Sequence, residues 1–143
     1  MLNMLTPVLA LVVWTLCILA LMASRRLPVI FSNVKKGIIP PKRNQELVGM
    51  ENLSDKAVWT ADNSNHLHEQ PTIFYALCVY SHLVGVSDII NVGLAFAYVG
   101  LRIVHSLIQC STNNLLWRFR AFILSSVLLV VIAGRNVWAL VAM

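Results

Sequence analysis

An apolar run from Ile89 to Cys110 carries Asn91, Tyr98, Arg102, His105, Ser106 and Gln109, and the polar series continues to Asn113. At about 100° per helical residue these side chains fall within an arc of roughly 100°. Gly93, Ala97 and Gly100 lie on roughly the opposite side, where small residues suit close helix packing. Arg102 stands eight residues from the end of the run at Cys110, about 12 Å deep along a helix. An arginine at that depth costs at least about 2.5 kcal/mol unless it is paired or hydrated. Two uses fit such a residue, an interhelical ion pair or a site for an anion or ligand.

Asp62, Asn65, His66, Glu69 and Tyr80 share a similar arc on the preceding helix. Glu69 is the obvious counter-charge for Arg102. His68, Tyr75 and His82 form a second polar face, expected to serve interhelical hydrogen bonds or an interface. His66 with Glu69 or His68 lacks a third and fourth ligand at metal-site spacing, so no metal is expected. Arg118 and Arg120 flank the start of a further apolar run beside Trp117. They suit an interfacial belt of aromatic and basic residues. A guanidinium at that place can also hold a carboxylate or lower the pKa of a thiol. Trp59 and Trp138 read as interface anchors, and Trp14 as facing lipid or core.

These residues need four crossings to position them. The expected spans are Leu2–Ala23, Leu67–Val86, Ile89–Cys110 and about Trp117–Ala133, with a basic loop from Ser24 to Val58. The turn at Ser87–Asp88 makes the second and third spans antiparallel neighbours. Gly134–Arg135–Asn136 is expected to mark the outer end of the fourth span. That span is short, since only fourteen residues separate Arg120 from Arg135, about 21 Å of helix against a core of about 30 Å.

Composition points the same way. The 143 residues are 58% hydrophobic and 12% charged, with a mean hydropathy of +0.74. A soluble domain usually has about twice that share of charge. Disorder, a collagen-like chain, a disulfide scaffold and an ordinary soluble enzyme all fit poorly. The expected class is an all-α integral membrane four-helix bundle in one domain spanning 1–143.

The formal charge is +5, and seven of the eleven Lys and Arg residues (Arg25, Arg26, Lys35, Lys36, Lys42, Arg43 and Lys56) fall between the first two apolar runs. No aromatic residue is regularly interleaved with them, so nucleic acid is not an expected partner. The positive-inside rule instead places loop 24–58 in the cytoplasm and both termini outside. No cation precedes the first run, and Arg25–Arg26 follow it, so an uncleaved anchor is expected rather than a signal peptide. Cys17, Cys78 and Cys110 form no Cys-x-x-Cys pair and read as small apolar residues.

Two stretches resemble a known family. The segment from Asp62 through His66, Glu69, Gln70 and Pro71 to Phe74-Tyr75-Ala76-Leu77 is similar to the second-helix signature of the MAPEG superfamily, the membrane-associated proteins of eicosanoid and glutathione metabolism, in its bacterial-type form. Tyr98-Val99-Gly100-Leu101-Arg102-Ile103-Val104-His105-Ser106, followed by Asn113 and Arg118, resembles that family's third helix and the turn into its fourth. The resemblance implies a homotrimer that binds glutathione between subunits and takes lipophilic substrates from the bilayer. It casts Arg118 as the catalytic residue that stabilises the thiolate. Asn65, His66, Glu69, Tyr98, Arg102 and His105 become candidates for holding the tripeptide. Two features depart from the pattern. Asp62, Asn65 and His66 stand where glutathione binders place Arg and Asn, and Gln109 stands where some eicosanoid synthases have Tyr.

The function these residues imply is a glutathione-dependent transferase or peroxidase acting on lipophilic electrophiles. The departures favour an alternative, a non-catalytic or differently liganded membrane trimer that keeps the fold without glutathione. A proton-coupled exporter fits least, because the first span carries no ionisable group.

Overall fold

The computed structural model describes residues 3–37 and 53–142. They form five helices: α1 (Leu5–Lys35), α2 (Asp55–Glu69), α3 (Pro71–Leu83), α4 (Ile89–Ser111) and α5 (Leu115–Val141). α1, α4 and α5 are each long and apolar enough to cross a bilayer. The protein is an all-α, multi-span membrane bundle.

Its outer surface is apolar, as a bilayer solvent requires. Leu9, Val13 and Leu16 on α1 are exposed, as are Ile123, Val127 and Val130 on α5. The core is a seam of small and medium side chains. α1 buries Pro7, Leu11, Thr15 and Ile18 at spacings of four and three residues, which place one stripe of the helix against its neighbours. Leu11 and Ile18 pack in one cluster with Phe74 and Cys78 of α3, Ala95, Tyr98 and Val99 of α4, and Leu129 and Ile132 of α5. Phe74 and Tyr98 stack with ring centroids 4.4 Å apart and planes 20° from parallel.

The ends of α4 and the start of α5 are set by side chains. Asp88 Oδ1 accepts from the amides of Ile90 and Asn91 at 2.9 and 3.1 Å and starts α4. Asn113, at φ 50°, donates its backbone N–H to the Ile108 carbonyl at 2.8 Å and closes the same helix. Asn114 Oδ1 then accepts from the Trp117 amide at 3.3 Å and starts α5.

Four expectations about the elements need correction. The stretch from Ser24 read as loop is helical as far as Lys35, because nothing in Arg25–Lys35 stops a helix that leaves the bilayer. Even Pro28 is accommodated within α1, and the helix yields only near Gly37, at φ 75°. Lys42 and Arg43, assigned to the same loop, lie outside the described residues. The second span is two helices that meet at Gln70, where Pro71 offers no N–H to the Leu67 carbonyl. α5 starts at Leu115 and passes through Gly134–Arg135–Asn136 to Val141. Arg135 does not end the helix because it has partners, donating from Nε to Asn91 Oδ1 at 2.6 Å and from Nη2 to Asp88 Oδ2 at 2.9 Å. Finally, the face bearing Gly93, Ala97 and Gly100 is exposed and packs on no described helix of this chain.

Candidate functional site

The polar residues of α4 are buried: Asn91, Tyr98, Ser106 and Gln109 are 0% exposed, Arg102 is 1% and His105 is 5%. The arc read from the sequence therefore faces the interior of the subunit, where each polar atom needs a partner.

Arg102 finds only part of what it needs. Its Nη2 donates to the His66 carbonyl at 2.9 Å. That carbonyl lies in the last turn of α2, where helix carbonyls lose their partners and the helix dipole is negative, so a cation is favoured there. Nε and Nη1 have no hydrogen-bond partner among the described residues. The expected Glu69–Arg102 ion pair is not formed. Glu69 Oε2 instead accepts from His66 Nδ1 at 3.3 Å, one helical turn away. His66 is the nearer partner because it shares a face of α2 with Glu69. His68 likewise bonds within its own helix, donating from Nδ1 to the Ser64 carbonyl at 2.7 Å, rather than across to a neighbour.

His105 joins α4 to α5. Its Nδ1 donates to the Arg118 carbonyl at 3.1 Å, and its Nε2 lies 3.1 Å from the Gln109 amide. Its ring also meets the His66 ring edge-on at a centroid distance of 6.2 Å. Arg118 is aimed by the turn before it, since its Nη1 donates to Asn113 Oδ1 at 2.7 Å. Next to it, the Arg120 guanidinium lies 5.0 Å over the Trp117 ring, an exposed cation–π contact.

Asp62, Asn65, His66 and Glu69 of α2, Gln109 of α4 and Arg118 of α5 line an open groove of about 200 Å³. Four residues singled out from the sequence thus meet there: Asn65, His66, Glu69 and Arg118. Tyr98, Arg102 and His105 do not line it and lie buried beside or behind it. Asp62 and Gln109 complete the wall. Both were visible in the sequence as members of the polar arcs, yet neither was among the residues assigned to hold a ligand. No ion pair to Arg118 forms among the described residues, so its charge is available to the groove. The Glu69 side chain is 68% exposed in the single subunit.

A match to the MAPEG family extends over residues 4–138, which include all five helices up to Trp138. The chain belongs to the MAPEG family. In this MAPEG protein the groove is bordered by the two segments that carried the resemblance, α2 through Glu69 and the stretch from α4 into the first turn of α5 through Gln109 and Arg118. No curated protein and no solved structure matches the chain. Among the described residues of this MAPEG chain, no group of three His, Cys, Asp or Glu side chains is placed to hold a metal ion.

Proposed function

We propose that the groove is one wall of a glutathione site shared between subunits of a homotrimer, and that the protein is a transferase or peroxidase for lipophilic electrophiles. The observation that carries this reading is the position of Arg118. It faces a groove with Asp62 and Glu69 on the α2 wall, so cation and carboxylates meet the same ligand. A zwitterionic peptide suits such a pair of walls, with its ammonium toward the carboxylates. Glutathione has two carboxylates, and one subunit supplies a single guanidinium to the groove. A neighbouring subunit supplies the rest in this reading, which also gives the exposed Glu69 a covered place. By the positive-inside rule, the basic residues Arg25, Arg26, Lys35 and Lys36 support a reading with the groove end of the bundle on the cytoplasmic side and both termini outside.

Arg118 serves the chemistry by stabilising the thiolate over the thiol. The thiolate sulfur bonds to an electrophilic carbon, and the displaced electron pair leaves with the leaving group or collects a proton from water. The peroxidase form of the reaction starts from the same thiolate. Lipophilic substrates arrive from the bilayer, and the groove adds proximity.

A second reading rests on Asp62, Asn65 and His66, which give the α2 wall of the groove no permanent cation. This wall favours a ligand with a cationic or neutral end, in a trimer that does not use glutathione. Thermal unfolding of the detergent-solubilised protein separates the two. Stabilisation by millimolar glutathione that disappears in Arg118→Ala supports the enzyme; no shift in the wild type favours the second reading. Detergent-corrected mass should report three chains, and a monomer would sink the shared site.

A further inference from the structure

Arg135 and Asp88 form an ion pair at 2.9 Å whose side chains stay 36% and 44% exposed. The surroundings of this exposed charge are apolar. Leu83 and Val84 before the α3–α4 turn, Ile89 and Ile90 after it, and Val137, Trp138, Leu140 and Val141 beyond Arg135 are all exposed. So much exposed apolar surface on three helices keeps this end of the bundle in the membrane interface and out of bulk water. Length agrees. Twenty residues lead from Leu115, the start of α5, to Arg135, about 30 Å of helix and the thickness of a hydrocarbon core. Arg135 therefore stands where acyl chains give way to headgroups, at the end of the bundle opposite Arg118.

A cleft of about 490 Å³ opens beside the pair, between the α3–α4 turn and the last turns of α5. Val86, Val131, Gly134 and Trp138 line it together with Asp88 and Arg135. An added Cβ at Gly134 would meet nothing within 4 Å, so the wall is open there. Arg135 spends Nε on Asn91 and Nη2 on Asp88, which leaves Nη1 without a partner among the described residues. The cleft thus offers a guanidinium edge to an anion. An anion that enters also meets the Asp88 carboxylate, 2.9 Å from that guanidinium. The two charges sum to zero. A ligand that suits both carries a phosphate and a cation a few bonds apart. The apolar remainder, Val86 and Val131 with the Trp138 ring, suits acyl chains at the interfacial layer.

We propose that this cleft binds the headgroup of a zwitterionic phospholipid, one per subunit. The phosphate accepts from Arg135 Nη1 and from the Trp138 indole N–H, and the ammonium lies toward Asp88. The acyl chains run along α5 past Val131 and the exposed Val127. A headgroup with a phosphate and no cation brings its charge against Asp88 with nothing to offset it. Basic side chains at a membrane surface ordinarily favour anionic lipid, and Asp88 reverses that choice. Neither Asp88 nor Arg135 lines the groove at Arg118, so the site is independent of the glutathione reading.

Native mass spectrometry tests the site on purified protein in detergent with equimolar dioleoyl phosphatidylcholine, phosphatidylethanolamine and phosphatidylglycerol. Basic residues at the opposite end, such as Arg25 and Lys35, attract phosphatidylglycerol in every variant, so the readout is the change on substitution. Gly134→Leu places bulk at the cleft wall, leaves both charges in place and suits a helix better than glycine. It is expected to lower retention of the two zwitterionic lipids roughly tenfold and to leave phosphatidylglycerol unchanged. Asp88→Asn, which still caps α4, is expected to raise the share of phosphatidylglycerol severalfold. Lipid adducts unchanged in Gly134→Leu, or a loss confined to phosphatidylglycerol, would overturn the site. An Asp88→Asn variant that keeps the wild-type lipid preference would overturn it as well.

Discussion

His105 Nδ1 lies 3.1 Å from the backbone carbonyl of Arg118. A carbonyl can only accept, so Nδ1 carries the proton. An imidazole with a single proton must then accept at Nε2, which calls for the NH2 of the Gln109 amide, not its carbonyl, at that contact. In that orientation the Gln109 NH2, otherwise without a partner among the described residues, is satisfied. The chain of contacts ties α4 to the peptide unit of Arg118, the side chain proposed to meet the thiol.

Removing this tie should be felt at a distance. His105→Phe keeps a ring but loses both hydrogen bonds, and a lowered thermal stability equivalent to roughly 1–3 kcal/mol is expected. Gln109→Met removes one polar contact and fills similar space, so its effect should be smaller. Thermal unfolding of both variants checks the order; a larger loss in Gln109→Met would contradict the tie.

Asn113 serves two purposes that substitutions can separate. Its backbone sits at φ 50°, which glycine adopts without strain and alanine does not. Its side chain holds Arg118. Asn113→Gly should keep the turn and change stability little, while Asn113→Ala should cost about 1 kcal/mol more for the backbone. Both free the Arg118 guanidinium, so any glutathione response should weaken equally in the two. Unequal weakening would mean that the turn, not the contact, aims Arg118.

The clasp at the other end of the bundle should titrate. Partial burial pushes the Asp88 carboxyl up, but hydrogen bonds from the backbone N–H groups of Asn91 and Ile90 and from Arg135 outweigh it and hold the carboxyl below its ordinary pKa. A group whose pKa is depressed on folding stabilises the fold above its unfolded value and loses that contribution as pH falls through the folded one. The gap in thermal midpoint between wild type and Asp88→Asn should therefore be constant above about pH 5 and shrink below about pH 4. Asparagine still caps α4, so the gap at neutral pH should reflect an ion pair worth at most about 1 kcal/mol. A gap that persists unchanged to pH 3 would rule out the ionised pair as its source.

Phe74 is the side chain whose loss should hurt the core most. It is fully buried against Tyr98, and Phe74→Ala should cost about 3–5 kcal/mol through lost burial and the cavity it leaves. Phe74→Leu should cost less. Thermal unfolding in detergent measures both.

How much of this was legible in the sequence varied with the kind of information needed. The polar arc of α4 could be read because a helix has a fixed period, and Asn91 to Gln109 do face one way. The extent of α1 and α5 could not, since charges such as Arg25 and Arg135 mark where apolar residues stop, and a helix has no reason to end there. The Glu69–Arg102 pairing failed for a related reason. Sequence placed the two residues at one depth but did not settle which neighbour each head group would choose, and His66 was closer to Glu69. The groove itself depends on α2 and the start of α5 meeting beside Gln109, a relation between elements that no local pattern encodes.

The contacts at the two ends of the subunit are unequal. At one end Ser81 and Asn136 exchange hydrogen bonds at 2.8 and 3.0 Å, and Arg135 grips Asp88 and Asn91. At the other end, α2 and α5 face each other across an open groove. The bundle is thus built like a spring peg, with its pivot at the α3–α4 turn and its jaws at Glu69 and Arg118. The pivot end lies about 25 Å from the jaws, measured along α5 from Arg118 to Arg135, while His105 and Arg102 of α4 hold the peptide units of Arg118 and His66 beside them. Substitutions beside the pivot should therefore change how readily the jaws part without touching anything held between them.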